Sequence, residues 1–216
     1  MSESLRELFG SIDIYLFDQL LKGRLASGMR LLDAGSGGGR NLPYFLRNGF
    51  DVCAVDEAEE AIGQVRALAA DLAPQLPRAS FRVERLEALS FPDADFDAVI
   101  ASAVLHFARN EEHFRAMLAE LWRVLRPGGL FFARLASSIG IEARVVALRD
   151  GRFHLPDGSD RFLVNEPLLE SLEAELDAVR LEPLKTVNVE NLRCMTTWCL
   201  RKPTHAEPSP GAPSAH

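Results

Sequence analysis

The sequence predicts an α/β fold, a doubly wound and mostly parallel sheet with helices on both faces, on three observations. Apolar strand-like runs at 29–34, 51–55, 81–83, 96–101 and 130–135 alternate with helix-like segments, the pattern of parallel βαβ units joined by right-handed crossovers. The first run passes into Asp33-Ala34-Gly35-Ser36-Gly37-Gly38-Gly39-Arg40-Asn41, which has glycine at alternate positions. The second run ends on Asp56, about 20 residues beyond the turn, where a carboxylate can accept hydrogen bonds from both hydroxyls of a ribose.

Each element has its own justification. Before the first strand, Leu5, Leu8, Phe9, Ile12, Tyr15, Leu16, Leu20 and Leu21 give an amphipathic helical pattern over 5–25. Gly35, Gly37 and Gly39 allow positive φ and carry no Cβ, so the backbone can turn tightly and approach a ligand. Helical periodicity returns in 58–72, with Ile62, Val65, Leu68, Ala69 and Leu72 on one face, and again in 111–125. At Leu125-Arg126-Pro127-Gly128-Gly129 glycine is expected to end that helix and proline to prevent its continuation. Residues 136–164 form an insertion before a helix that begins near Asn165, and 151–164 reads as a hairpin turning at Asp157-Gly158. Two strand-like runs follow, at 184–189 and 193–200, and there is no internal repeat. The end, 203–216, is rich in proline and small residues without hydrophobic period and is expected to be disordered.

A length of 216 residues with 47% apolar composition suits one domain with a sizeable core. The net charge of −7 argues against a broad phosphate-binding surface and therefore against a nucleic-acid partner. No apolar run approaches the roughly 20 residues of a membrane span, and the start is not a basic leader, so a cytoplasmic location without membrane attachment is expected. Cys53, Cys194 and Cys199 are odd in number and lack metal-ligand spacing; they read as core or free thiols, and no metal site is expected.

The dinucleotide fingerprint needs a third glycine at position 40, where this chain has Arg40. The spacing acid-x-G-x-G-x-G is met in full by Asp33, Gly35, Gly37 and Gly39. With that motif the chain resembles the class I S-adenosylmethionine-dependent methyltransferases. Four further segments share the resemblance: Phe91-Pro92-Asp93-Ala94-Asp95-Phe96-Asp97-Ala98-Val99-Ile100, Ser102-Ala103-Val104-Leu105-His106-Phe107, the turn ending Pro127-Gly128-Gly129, and the final pair of strands. Together they cover 29–202. The resemblance implies a seven-stranded Rossmann-like sheet with an antiparallel final hairpin, an N-terminal helical cap over 1–28, and S-adenosyl-L-methionine as cofactor. By resemblance Asp33 lies near the methionine ammonium, the backbone of Gly35, Ser36, Gly37 and Gly39 borders methionine and ribose, and Asp56, with Glu57 beside it, holds the ribose. Leu86 would face the adenine through its backbone, and Ala101 would end the fourth strand against the cofactor.

The family's acid for the adenine amino group falls at Arg85 here, which leaves Glu84, Glu87 or the Leu86 backbone with stacking to hold the base. Locally, Gly39-Arg40-Asn41 with Tyr44-Phe45-Leu46 is similar to the tellurite-resistance and thiopurine branch, in which Arg40 could pair with the cofactor carboxylate; a solvated arginine is the other reading.

Methyl transfer from a sulfonium is an in-line displacement that positioning and exclusion of water can accelerate without an obligatory base. His106, following the fourth strand, is the first candidate for a base toward a hydroxyl acceptor, and His154 the second. Arg134, Arg144, Arg149, Arg152 and Arg161 gather around the insertion and could recognise an anionic acceptor, while Trp122 and Trp198 read as core. The expected partner is a small-molecule methyl acceptor, and the protein a monomer or homodimer. Three competing functions share parts of the pattern: a cofactor-binding protein without transfer, a nicotinamide-dependent oxidoreductase, and a methyltransferase of macromolecules.

Overall fold

The computed structural model describes residues 5–204. In chain order, helices α1 (Leu5–Phe9) and α2 (Ile14–Leu21) precede strand β1 (Arg30–Ala34), followed by α3 (Pro43–Arg47), β2 (Asp51–Asp56), α4 (Glu59–Leu72), β3 (Phe81–Val83) and β4 (Phe96–Ser102). Then come α5 (Glu111–Val124), β5 (Leu125–Ser137), the short strands β6 (Val146–Ala147), β7 (Arg152–His154) and β8 (Asp160–Phe162), α6 (Glu166–Glu175), β9 (Val179–Arg180), β10 (Lys185–Val189) and β11 (Arg193–Arg201). Most of the expected disordered tail, 205–216, lies outside the described residues.

The main sheet runs β10-β11-β5-β4-β1-β2-β3. Strands β5, β4, β1, β2 and β3 are parallel, whereas β11 pairs antiparallel with β5 and with β10. The two-residue β9, which also pairs with β11, makes the sheet eight-stranded where seven strands are expected. Strands β6, β7 and β8 form a separate antiparallel sheet from the insertion, and its hairpin turns at Asp157-Gly158 as the sequence predicts.

Because strand side chains alternate, each buried strand feeds two cores. Leu32, Cys53, Val55, Val99, Phe131 and Ala133 pack under α5 and α6. Leu31, Val52, Ala54, Ile100 and Phe132 pack under α2, α3 and α4. Trp122 and Trp198 are core residues, and Cys53, Cys194 and Cys199 are free and buried. The chain continues from β1 to β2 on one side, while β4 pairs on the other side of β1. That reversal opens a crevice at the carboxyl ends of β1 and β4.

Two expectations need correction. The segment 5–25 is two helices, broken at Gly10 (φ 63), whose N–H bonds to the Arg6 carbonyl at 2.9 Å. Leu5 and Leu21, counted in the amphipathic helical pattern over 5–25, are 75% and 72% exposed. Helix α5 ends at Val124, before the Pro-Gly-Gly turn, and Leu125 already pairs with Phe96. Residues 126–129 then bulge out before Leu130 pairs with Ala98, and Gly128 (φ 80) serves that bulge rather than the helix end.

Candidate active site

Strand β1 delivers Asp33 into the structure at 1% exposure, with its Oδ2 lacking any hydrogen-bond partner. Burial pushes its carboxyl up to about 7, against the pull of the Arg40 guanidinium and with the push of Asp56. An orphaned, buried carboxylate oxygen is a costly arrangement that a cationic ligand group relieves.

After Ala34 the chain turns at Gly35 (φ 68), Gly37 (φ 51) and Gly39 (φ 81). The three glycines serve different ends. A Cβ on Gly35 would lie 2.2 Å from Val104 Cγ2, so this glycine admits the segment after β4. Around Gly37 a Cβ would meet nothing within 4 Å, which leaves its face open to the crevice. A Cβ on Gly39 would meet Val65, Leu42 and Leu68 at 3.2–3.3 Å, so this glycine serves packing against α4. Asp56 ties the turn to the second strand: Oδ2 accepts the Gly37 N–H and Oδ1 the Ala58 N–H, both at 2.9 Å.

These elements line a cavity of about 510 Å³, together with Glu57, Glu84, Arg85, Leu86 and Glu87 after β2 and β3. Ala103, Val104 and Phe107 close it from the segment after β4, with Arg109 just before α5 and His113 and Met117 in its first two turns. Ala103 is held at φ 65, a left-handed conformation unusual for a residue with a Cβ, by its N–H donating to the Arg134 carbonyl at 2.7 Å. His113 Nε2 lies 3.2 Å from Glu87 Oε1, while its Nδ1 accepts the Arg109 N–H at 3.2 Å. Burial would raise the Glu87 carboxyl, but its own backbone N–H, His113 and Arg109 hold it below the usual range. Arg85, exposed at the rim, occupies the place of the expected acid, and Glu87 is the fixed anion nearby.

Of the residues expected at the site, Gly35, Gly37, Asp56, Glu57 and Leu86 line this cavity. Asp33 lies in β1 just before the turn. Ser36 is buried and spends its Oγ on the Gly37 carbonyl at 3.3 Å, Gly39 packs on α4, and Ala101 is core within β4. Arg40 turns to the N-terminal segment and Ser102, donating to Ser102 Oγ at 2.9 Å.

His106, the expected base, is not among the residues that line the cavity. It is 7% exposed, lies against Phe107 with ring centres 4.6 Å apart, and accepts the Ala136 N–H on Nδ1 at 3.3 Å. Burial, reinforced by Arg161 and Arg193, lowers it to about 4, so at neutral pH the ring is uncharged. The Ala136 N–H engages the Nδ1 lone pair, which favours the tautomer with the proton on Nε2. His154 is exposed and bonded through Nδ1 to Asp160 at 2.7 Å.

Sequence reasoning missed His113 and Met117, four residues apart on one face of α5, and Arg109 just before that helix. It also missed Asp13, whose carboxylate meets Arg134 Nη1 at 2.8 Å above the carboxyl end of β4. Among the described residues, no group of three or more His, Cys, Asp or Glu could hold a metal ion.

Residues 32–133 match the family described as a methyltransferase domain. The ubiquinone biosynthesis O-methyltransferase of Sinorhizobium medicae is 34% identical over 183 residues, covering 81% of this chain and 68% of that enzyme. The chain spans a smaller share, 47%, of an uncharacterized methyltransferase from Synechocystis. In fold, it superposes on a methyltransferase of Methanosarcina mazei with a TM-score of 0.70, at 20% identity, over 86% of this chain and 98% of that one. A Burkholderia thailandensis didemethyltoxoflavin methyltransferase, solved with bound S-adenosylhomocysteine, gives 0.66 at 22% identity over 87% and 76%.

The chain therefore belongs to the class I S-adenosylmethionine-dependent methyltransferases. Its cofactor is S-adenosylmethionine, and its chemistry is transfer of the sulfonium methyl group. None of these relatives is named for tellurite resistance or thiopurine methylation, the branch suggested by Gly39-Arg40-Asn41.

Proposed function

We propose that the enzyme methylates a small molecule bound where the carboxyl ends of β4 and β5 meet the inserted sheet β6–β8. The observation that carries the cofactor half of this reading is Asp33: a buried carboxylate oxygen without a partner at the end of β1, suited to an ammonium. A dinucleotide pyrophosphate is not favoured, because α3 begins only at Pro43 and presents no helix N-terminus to the turn. When bound, S-adenosylmethionine supplies an electrophilic methyl group on sulfur.

The residues of this chain then bind and orient. Asp56 and Glu57 face the ribose, Leu86 and Met117 give apolar walls to the adenine, and Glu87 is the acceptor available to its amino group. Val104, seated against Gly35, closes the crevice beside the reacting centre and keeps water out. With His106 committed to the Ala136 N–H, catalysis rests on positioning. That favours an acceptor that loses its proton to solvent, such as a thiol or an amine, over an unactivated hydroxyl. The net charge of −7 speaks against a nucleic-acid acceptor.

Calorimetric titration with S-adenosylmethionine, S-adenosylhomocysteine and NAD, followed by transfer of labelled methyl to thiols, amines and phenols, tests the reading. Binding of the first two with transfer to a small acceptor supports it. Binding without transfer to any acceptor class would favour a cofactor sensor.

A further inference from the structure

Asp13 is the N-cap of α2, yet only half of its carboxylate serves that cap. Oδ1 accepts the Tyr15 N–H at 3.0 Å, as a helix N-cap does. Oδ2 instead reaches across to the sheet, accepting Arg134 Nη1 at 2.8 Å and lying 3.4 Å from Ser102 Oγ and 3.6 Å from Arg40 Nη2. The Asp13 N–H donates to Asn41 Oδ1 at 3.0 Å, which fixes the segment to the glycine turn as well. Its side chain is fully buried, at 0% exposure.

The charges around it do not balance. Two guanidiniums share one carboxylate oxygen, and Arg134 Nε is buried without a partner. Arg40 is clamped between the Ser11 carbonyl, Asp13 and Ser102, yet stays 44% exposed. Asp33, Ser102 and Arg134 lie on the α2–α4 face of adjacent strands, since Leu31, Ile100 and Phe132, each two residues before them, pack there. A surplus cation beside an orphaned carboxylate is the charge pattern complementary to a zwitterion.

We propose that Asp13 is a positioning residue for the amino-acid end of the cofactor: it holds Arg40 and Arg134 above the ends of β4 and β5, so that a guanidinium edge meets the cofactor carboxylate. The inference rests on the cofactor assignment and adds a role for the N-terminal segment in building the site. An ion pair to a buried carboxylate is by itself weak evidence of stability, so the role inferred is orientation.

The test compares two ligands. S-adenosylhomocysteine carries the amino-acid end, whereas methylthioadenosine keeps the adenosine and sulfur without it. Asp13→Asn retains Oδ1 for the helix cap and removes the charge. The variant is expected to weaken S-adenosylhomocysteine by at least about tenfold in calorimetry and to leave methylthioadenosine within about twofold. Arg40→Gln, at a more exposed position, is expected to show the same selective loss, and the two changes together should not add. Equal losses for both ligands, no loss, or tighter binding of S-adenosylhomocysteine by Asp13→Asn would overturn the proposal. If Asp13→Asn does not fold, the ligand selectivity of Arg40→Gln decides in the same way. Failure of the wild-type protein to bind S-adenosylhomocysteine would overturn the cofactor assignment itself, and this role with it.

Discussion

At the scale of single residues, Asp33 makes the ligand-free protein sensitive to pH in a defined direction. Between about pH 4 and about 7 the folded protein keeps a proton that the unfolded chain has lost, because burial pushes Asp33 up to about 7. This contribution is therefore complete below about pH 4, and it falls as pH rises to about 7, by at most about 1.4 kcal/mol per pH unit. Urea titrations of Asp33→Asn should lose that slope; an unchanged slope would remove Asp33 from the account. An ammonium ligand reverses the preference, so S-adenosylhomocysteine binding should tighten from pH 5 to 7 and release protons, read by calorimetry in buffers of different ionisation enthalpy. Gly35→Ala gives a second outcome. Its Cβ would meet Val104 Cγ2 at 2.2 Å from a backbone at φ 68, so overpacking of about 1–3 kcal/mol is expected together with about 1 kcal/mol for the left-handed backbone. Adding Val104→Ala should recover the packing part only. The acid and glycine positions were legible because their spacing is local. Asp13, Ser102 and Arg134 meet only when the strands pair, and what linear signal existed was the period-two placement of Ser102 and Arg134 after apolar residues.

At the scale of elements, the central parallel strands were legible because β2 and β4 are short apolar runs buried on both faces, and α4 and α5 because their apolar residues hold a 3.6-residue period. The N-terminal break was not, since Leu5 and Leu21 continue the period while Gly10 turns the chain; a Cβ there would strike the Pro43 ring at 2.7 Å. Residues 126–129 misled for a related reason: proline and glycine mark a departure from regular backbone, and a bulge inside a strand is as good a departure as a helix end. The insertion shows how packing grades an element. Phe162 of β8 is 1% exposed and stacks on Phe114 of α5 at 4.8 Å, which joins this edge to the core, whereas Val146 of β6 is 61% exposed. Phe162→Ala should cost about 3–5 kcal/mol in urea unfolding, and Val146→Ala less than about 0.5 kcal/mol. Comparable losses would mean that β6 is packed as firmly as β8. A wall anchored at β8 and free at β6 can vary its outer residues, where acceptor choice is expected to reside.

At the scale of the whole molecule, the crevice gathers the ends of β1, β2, β3 and β4 and the first two turns of α5, so a ligand filling it would meet chain segments from Gly35 to Met117. Those segments belong to both sides of the reversal at β1, and both cores meet beneath them. A ligand that binds only this assembled arrangement stabilises the folded state by mass action. At a concentration of 100 Kd the gain is about 2.7 kcal/mol. For a chain of this size each kcal/mol raises the melting temperature by about 2–4 °C, so S-adenosylhomocysteine should raise it by roughly 5–11 °C. NAD at the same concentration should leave it unchanged, because Arg40 replaces the third glycine and α3 starts too late to cradle a pyrophosphate. Asp56→Asn separates the ribose from the rest of the site: its amide can still accept the Gly37 or Ala58 N–H on one oxygen, so folding should survive while the thermal shift shrinks. A shift with NAD equal to that with S-adenosylhomocysteine would mean that the crevice reads only adenosine, and that Asp33 does not select for the methionine end.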